Sequence, residues 1–347
     1  MVDAPAGAGL VPAVEVRRLG GTMTLAQDRG PGHSAVAGLR GRDLVSSADL
    51  TRDEYELVFE RAVALKREFR AGRRHATKLL ADRSIALFFE KPSLRTRVTF
   101  EAGIDQLGGH PLYLAEGIGL GVRESVSDIA HNLERWIDAI VARTFDHSVV
   151  TELAAEAGIP VINALTDDEH PCQALADLLA LREHFGRLDG LVLTFVGDGN
   201  NVFSSLALAG AILGVEIRLA HPDGYGPRPQ ILALAEQLAV IGHGRIVVGH
   251  DPRELVRDAD AIYTDVWVSM GQEEQAHARL AAFRGYQVND ELLGLAGAHA
   301  VAMHCLPAHR GQEITDEVLD GPRSLALEQA ENRLHVQKAF LAETLAR

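Results

Sequence analysis

Apolar residues in this chain fall into two kinds of run that alternate from end to end. Short solid blocks at 85–89, 112–114, 139–142, 160–163, 191–196, 215–220, 245–248, 261–264 and 298–303 are bounded by polar or glycine-rich stretches, and predict strands, most of them buried on both faces. Between them lie longer segments with helical spacing. Examples are Leu57, Ala62 and Leu65; Phe100, Ile104 and Leu107; Ile129, Leu133 and Ile137; Leu175, Leu178, Leu179 and Phe185; and Val202, Leu206 and Leu213. Further helices are predicted at 149–157, 229–241 and 325–345, the last with Leu334, Leu341 and Leu345 on one side. Start and stop signals fit this division. Ser47 or Asp49 can cap the first helix, Ser125 and Asp128 form a capping-box pattern, Pro171 suits a first helical position, and Asp251-Pro252 opens another helix. Gly108-Gly109 and Gly158 are stops. Strand and helix alternating in this way predict parallel α/β sheets.

The chain has 347 residues, enough for two domains of ~150 residues. The Asp189-Gly190 turn marks the junction. We therefore expect a tail without regular structure at 1–36, a first domain at 37–186, a second at 187–324, and a final helix at 325–347 that returns to the first domain. Met23 is an alternative translation start, and no secretory h-region precedes it. A net charge of −14 without a basic stripe excludes a general nucleic-acid binder. No apolar run approaches the ~20 residues of a membrane helix. The two cysteines, Cys172 and Cys305, lie far apart and read as thiols in a reducing cytoplasm.

Candidate chemistry sits just past predicted strand ends, where open α/β sheets bind ligands. The segment Lys91-Pro92-Ser93-Leu94-Arg95-Thr96-Arg97 joins a buried strand to a helix. It combines two hydroxyls, two guanidinium groups and unpaired backbone N–H groups at the positive end of a helix dipole, the parts that hold a phosphate. Arg143 ends the 139–142 strand, and His170 and Gln173 follow the 160–163 strand. The acids Asp167, Asp168 and Glu169 read as a solvated turn, and Trp267 and Met303 as packing residues. The turn Gly197-Asp198-Gly199-Asn200-Asn201 has the shape of a dinucleotide-binding turn but lacks its third glycine. His304 and His309 do not complete a metal-ligand spacing, so no metal site is predicted.

Five motifs in order, KPSLRTR (91–97), HPCQALADLL (170–179), GDGNN (197–201), DVWVSMG (265–271) and HCLPAHRG (304–311), resemble the aspartate/ornithine carbamoyltransferase family, on its ornithine branch. The likeness runs from about Leu39 to the end of the chain. It implies two α/β domains, each a parallel sheet flanked by helices, with the active site in the cleft between them. It also implies transfer of a carbamoyl group from carbamoyl phosphate to the δ-amine of L-ornithine, giving L-citrulline and phosphate, with no cofactor. By match to the family motifs, Ser93, Leu94 through its backbone, Arg95, Thr96 and Arg143 hold the phosphate. Thr96, Arg143 and His170 surround the carbonyl oxygen, Gln173 accepts from the carbamoyl amide, and Arg333 reaches back from the last helix. Cys305 and Leu306 complete that site, with Cys305 an orienting group beside the amine rather than a nucleophile. Asn201 matches the ligand of the α-carboxylate, Asp265 and Ser269 those of the α-ammonium, and Met270 a backbone contact and apolar wall.

Leu94 stands where many relatives have threonine, a change that keeps the backbone donor. The resemblance further implies a homotrimer or a multiple of trimers, with 120–125 near a neighbouring subunit's site and a 265–271 loop that closes on ornithine. The rival functions are a carbamoyltransferase for putrescine or an N-acylornithine, a nicotinamide-linked dehydrogenase resting on GDGNN, and a non-catalytic ligand-binding relative.

Overall fold

The computed structural model describes residues 16–18, 21–23, 38–91, 93–114, 124–269 and 271–345. Strands β1 (Val16–Arg18) and β2 (Gly21–Met23) pair antiparallel with each other. After them the chain runs α1 (Arg52–Gly72), β3 (Ser84–Phe89), α2 (Leu94–Gln106), β4 (His110–Leu114), α3 (Val126–Leu133), β5 (Ala139–Arg143), α4 (His147–Glu156), β6 (Val161–Leu165) and α5 (Pro171–Phe185). It continues with β7 (Val192–Val196), α6 (Asn201–Ile212), β8 (Glu216–Ala220), α7 (Pro229–Gly242), β9 (Arg245–Gly249), α8 (Pro252–Leu255) and β10 (Ala261–Thr264). The last elements are α9 (Ala276–Ala282), α10 (Asp290–Leu295), β11 (Val301–His304), α11 (Asp316–Leu319) and α12 (Ala326–Leu345).

Two parallel sheets result, in strand orders β4-β3-β5-β6 and β11-β10-β7-β8-β9. Their central strands are solid apolar runs because both faces are covered: β5 is buried from Ala139 to Arg143 and β10 from Ala261 to Thr264. Each order reverses at one place. In the first sheet the chain leaves β3 for β4 on one side and returns to β5 on the other. In the second it leaves β7 for β8 and returns to β10. Ligands of open α/β sheets bind outside the strand C-termini at such points. The segment 90–97 and Arg143 occupy the first switch point, and 197–201 and Asp265 the second.

Helix α5 is buried at every position from Pro171 to Leu181, because it lies between α12, α6 and β6. Its buried face is therefore its whole circumference, polar at Gln173 and Asp177, and the stripe read from Leu175, Leu178 and Leu179 covers only part of it. Helix α12 packs on α1, α2 and α5, which brings Arg333 to the first sheet's site. One hydrophobic core runs from β3 and β5 through α5 and α6 to β7 and β10.

Caps explain two departures from the predicted elements. The first helix starts at Thr51, whose hydroxyl accepts from Glu54 N–H while Glu54 accepts from Thr51 N–H. Ser46 and Asp49 form their own capping box on a separate single turn, so Ser47 and Asp49 precede the helix rather than cap it. Helix α3 ends at Leu133, leaving Ile137 outside it. The short helices α9, α10 and α11 were not predicted, being too brief for a helical period to register.

Candidate active site

Ser93 caps α2, its hydroxyl accepting from Thr96 N–H at 3.2 Å. Leu94 and Arg95 are the first residues of that helix, and among the described residues no acceptor meets their N–H groups. Leu94 points its side chain to solvent, 76% exposed. That position fits a residue used for its N–H and explains why leucine can stand there. Of the two arginines, Arg97 is exposed, pairs with Glu101 and stacks on Tyr113. Arg95 turns inward.

Three guanidinium groups converge on the mouth of this helix. Arg333 Nη2 donates to Thr96 Oγ1 at 2.6 Å and Arg143 Nη1 approaches it at 3.4 Å. With both lone pairs of Thr96 facing arginine donors, its own proton is left to point into the site. Arg143 and Arg333 are buried, and among the described residues Nε of Arg95, Arg143 and Arg333 all lack a partner. Among the described residues none of the three is in an ion pair. Burial, then Arg333 and Arg95, lower the pKa of Arg143 from its ordinary 12.5 to about 10. Burial lowers Arg95 and Arg333 as well. A buried cluster of like charges without acid partners is a ready site for a small multiply charged anion.

His170, at the start of α5, is buried, with its backbone N–H on Ser205 Oγ at 2.8 Å and its ring Nδ1 unpartnered. Burial, then Arg333, Arg143 and Arg95, hold its pKa well below the usual imidazole value. It is therefore neutral at pH 7, able to donate one hydrogen bond without adding charge. Gln173 accepts from Arg333 Nη1 at 2.9 Å and donates to Asp177 at 2.7 Å.

The second half of the site hangs from β10 and β11. Asp265 accepts from Asn200 Nδ2 at 2.8 Å, from Cys305 Sγ at 3.0 Å and from Val266 N–H at 2.8 Å. Burial, then Asp265, push the Cys305 thiol well above its ordinary pKa, so it stays protonated at neutral pH. Cys305 and Asp265 lie near enough to act electrostatically on Arg95, which brings the two halves together. Asn201 donates its amide to the Thr166 carbonyl at 2.6 Å, and Ser269 is half-buried at the start of a turn to Gln272. Leu306 has φ of 56°, a left-handed turn held by its N–H on His304 Nδ1 at 2.8 Å. Met270, and 120–123 of the expected subunit-contact segment, lie outside the described residues.

Gly199 of GDGNN serves packing within this chain. A Cβ on Gly199 would meet Pro227 N at 2.5 Å, and two N–H groups in the first turn of α6, those of Val202 and Phe203, are taken by Asn200 Oδ1. Those two amides are therefore not offered to a pyrophosphate, and the third glycine that would let one approach is missing. His304, Cys305 and Asp265 bring one potential metal-ligand atom each within 4.8 Å, a carboxylate that spacing along the chain did not offer. Both imidazole nitrogens of His304 are already engaged, Nδ1 by Leu306 N–H and Nε2 by Glu313 at 3.2 Å. They shape the turn.

Of the acids expected on a solvated turn, Asp167 is exposed in a bend and Asp168 is half-buried beside it, while Glu169 is not on the surface. Glu169 is buried, accepting from Ser47 N–H at 2.8 Å and Ser205 Oγ at 3.0 Å, and Asp168 pairs with Arg228 from the second half. Asp167 pairs with Lys91. The run Thr166 to His170 is thus a junction between the two halves. Sequence reading also passed over Arg279, whose side chain ties the Trp267 carbonyl to Asp198, and Asp177, Tyr263 and Gln329, which lie behind the site. A charged residue at a position of α5 flanked by Ala176 and Leu178 was the signal for Asp177.

Among described residues no helix is long and apolar enough to cross a membrane. Residues 42–183 match the family model described as aspartate/ornithine carbamoyltransferase, carbamoyl-P binding domain. Residues 189–344 match the Asp/Orn binding domain of the same family. The ornithine carbamoyltransferase of Acidothermus cellulolyticus is 51% identical over 302 residues, 87% of this chain and 96% of that protein. The protein of Pyrococcus furiosus named ornithine carbamoyltransferase, anabolic, is 48% identical over 308 residues, 88% of this chain and 97% of the relative. The solved structure of the Pyrococcus furiosus ornithine carbamoyltransferase superposes with a TM-score of 0.86 at 47% identity, covering 89% of this chain and 99% of that one. Both sheets, the arginine cluster at the first switch point and these matches lead to one assignment: the chain belongs to the aspartate/ornithine carbamoyltransferase family and is a carbamoyl-transferring enzyme.

Proposed function

We propose that this enzyme transfers the carbamoyl group of carbamoyl phosphate to the δ-amine of L-ornithine, giving L-citrulline and phosphate. The observation that carries this reading is the convergence of Arg95, Arg143 and Arg333 around Thr96 without a carboxylate partner among the described residues. The phosphate takes the N–H groups of Leu94 and Arg95, the Ser93 hydroxyl, and the guanidinium groups of Arg95 and Arg143, with Thr96 beside it. The carbonyl oxygen meets the Thr96 proton, Arg143 and the neutral His170. Donors fixed where negative charge grows in the tetrahedral transition state are worth ~3 kcal/mol each. Gln173 Oε1, which keeps a lone pair after accepting from Arg333, takes the carbamoyl amide.

Ornithine binds across from this group, its α-ammonium on Asp265 and Ser269, its α-carboxylate on Asn201, with Met270 beside them. The free δ-amine has a pKa of ~10 and must attack unprotonated. Its nitrogen forms the new bond to the carbamoyl carbon, the bond from that carbon to the phosphate oxygen breaks, and the amine proton passes to the departing phosphate, which leaves as hydrogen phosphate. Arg143 and Arg95 stabilise the charge gathering on the departing phosphate. Cys305, protonated and donating to Asp265, orients the amine without becoming a nucleophile. The relative named anabolic supports the direction toward citrulline, and a cytoplasmic location is part of the proposal. A trimer or multiple of trimers is part of the proposal, with Leu94 and Val98, exposed one turn apart on α2, as apolar surface for it.

Citrulline formation from carbamoyl phosphate and L-ornithine, with Arg95→Ala beside the wild type, tests the reading. Robust turnover that falls at least about a hundredfold in the variant is expected from the loss of a charged donor to the phosphate. Equal rates in the two proteins would remove the phosphate loop from the reaction.

A further inference from the structure

Asp177 is buried with 0% exposure on α5, behind the site, and the proposed reaction gives it no part. Three donors reach it from three elements. Its Oδ1 accepts from Gln173 Nε2 at 2.7 Å and from Gln329 Nε2 at 2.8 Å, and its Oδ2 accepts from the Tyr263 hydroxyl at 2.9 Å. An amide has one donor end and one acceptor end, so a neighbour that only accepts fixes which way round it sits. Gln173 then presents Oε1 to Arg333, at 2.9 Å, and to the site. Gln329 presents Oε1 to the His304 backbone N–H, also at 2.9 Å, holding the turn that carries Cys305 and Leu306.

We propose that Asp177 Oδ1 is the positioning group that sets the polarity of Gln173 and Gln329, and through them fixes both walls around the carbamoyl amide. The inference rests on the carbamoyl-transfer reading above. Asp177 touches no substrate and acts through the two glutamines. Oδ2 has the lesser part, because the Tyr263 hydroxyl facing it can rotate to accept as well as donate. The charged and titratable groups facing Asp177 are Arg333 on α12, Tyr263 on β10 and Cys305 after β11. Burial raises its pKa to about 6, and the neutral acid still offers Oδ1 to both amides while its proton turns to Tyr263.

That asymmetry defines the test, which is steady-state kinetics with carbamoyl phosphate varied. Asp177→Asn keeps a carbonyl oxygen for the two amides and turns its N–H toward Tyr263, so kcat/KM is expected within about threefold of wild type. Asp177→Leu has similar bulk and no acceptor, leaves buried donors unpaired, and is expected to lose about ten- to a hundredfold. In a Gln173→Leu/Gln329→Met background the same change should cost no more than about twofold, since both glutamines it acts through are gone. Losses that simply multiply, or an asparagine variant as impaired as the leucine one, would overturn the proposal. Where Asp177→Leu does not fold, Gln329→Met replaces it, with an expected loss of about tenfold. Unchanged kcat/KM in that folded variant would equally overturn the proposal. If the wild type makes no citrulline, the reaction assignment has failed on its own. The same variants are then compared by how far carbamoyl phosphate protects each from urea, a reading that needs no ornithine.

Discussion

Replacing Arg143 by methionine should make the unliganded protein more stable and at the same time unable to hold its anion. The residue is 5% exposed, its Nε has no partner among the described residues, and its contact with Thr96 is long at 3.4 Å. Little hydrogen bonding is lost on removing it. Its pKa falls from 12.5 to about 10 through burial and then the neighbouring charges of Arg333 and Arg95. At 1.36 kcal/mol per pKa unit, holding that charge costs the folded state about 3 kcal/mol. Methionine keeps most of the packing and none of the charge, so a gain of about 1 to 3 kcal/mol is expected. Phosphate reverses the order. At a concentration of about 100 Kd it stabilises the wild type by about 2.7 kcal/mol, and it should do nearly nothing for the variant. Isothermal urea unfolding at 25 °C and pH 7.5, with and without inorganic phosphate, reads both effects in one series. A variant less stable than the wild type without phosphate, yet still protected by it, would refute the idea that a charge cluster is held folded for an anion.

Other substitutions probe single atoms. Leu94→Pro removes the backbone N–H at the first position of α2, where proline is otherwise favoured, and Ser93 before it already has extended φ of −157° and ψ of 112°. The melting temperature should change little while KM for carbamoyl phosphate rises about tenfold, the worth of a charge-assisted hydrogen bond; Leu94→Ala, which keeps the N–H, should be near neutral. Glu169 has its pKa pushed from 4.5 up to about 7, chiefly by burial. The folded state holds that proton more tightly than the unfolded one, so this group's stabilising contribution is full below about pH 4.5 and is lost as pH rises through 7. Relative to Glu169→Gln, the wild type should lose up to about 3 kcal/mol between pH 4.5 and 8 in urea unfolding; equal pH profiles would count against a buried acid at this junction.

The features legible in the sequence were those decided locally. A solid apolar run followed by Ser93 and two arginines reports a buried strand, a cap and a helix start, and the structure has all three. Strand ends carrying Arg143, Asp265 and His304 were readable for the same reason. What escaped was set by distant partners. Glu169 looked like surface because its acceptor role depends on Ser47 and Ser205, 122 and 36 residues away. The first helix cap was misplaced although Thr51 and Glu54 spelled a capping box, because Ser46 and Asp49 spell another five residues earlier. Asn200, given no role from the sequence, meets Asp265 from the neighbouring strand end, a partner 65 residues away. Asp177 lay inside a quoted motif, but its role needs Gln329 from α12, 152 residues on.

The account stands on ornithine being the amine, and initial rates of carbamoyl transfer to L-ornithine, putrescine and N-acetylornithine, at equal concentration and pH, test that most directly. With Asp265 and Ser269 for the α-ammonium and Asn201 for the α-carboxylate, ornithine should outpace both others by about a thousandfold or more, because each analogue leaves polar groups of the site unpaired. Faster transfer to putrescine or to the acylated amine would contradict it, keeping the carbamoyl phosphate half of the site and overturning the ornithine half.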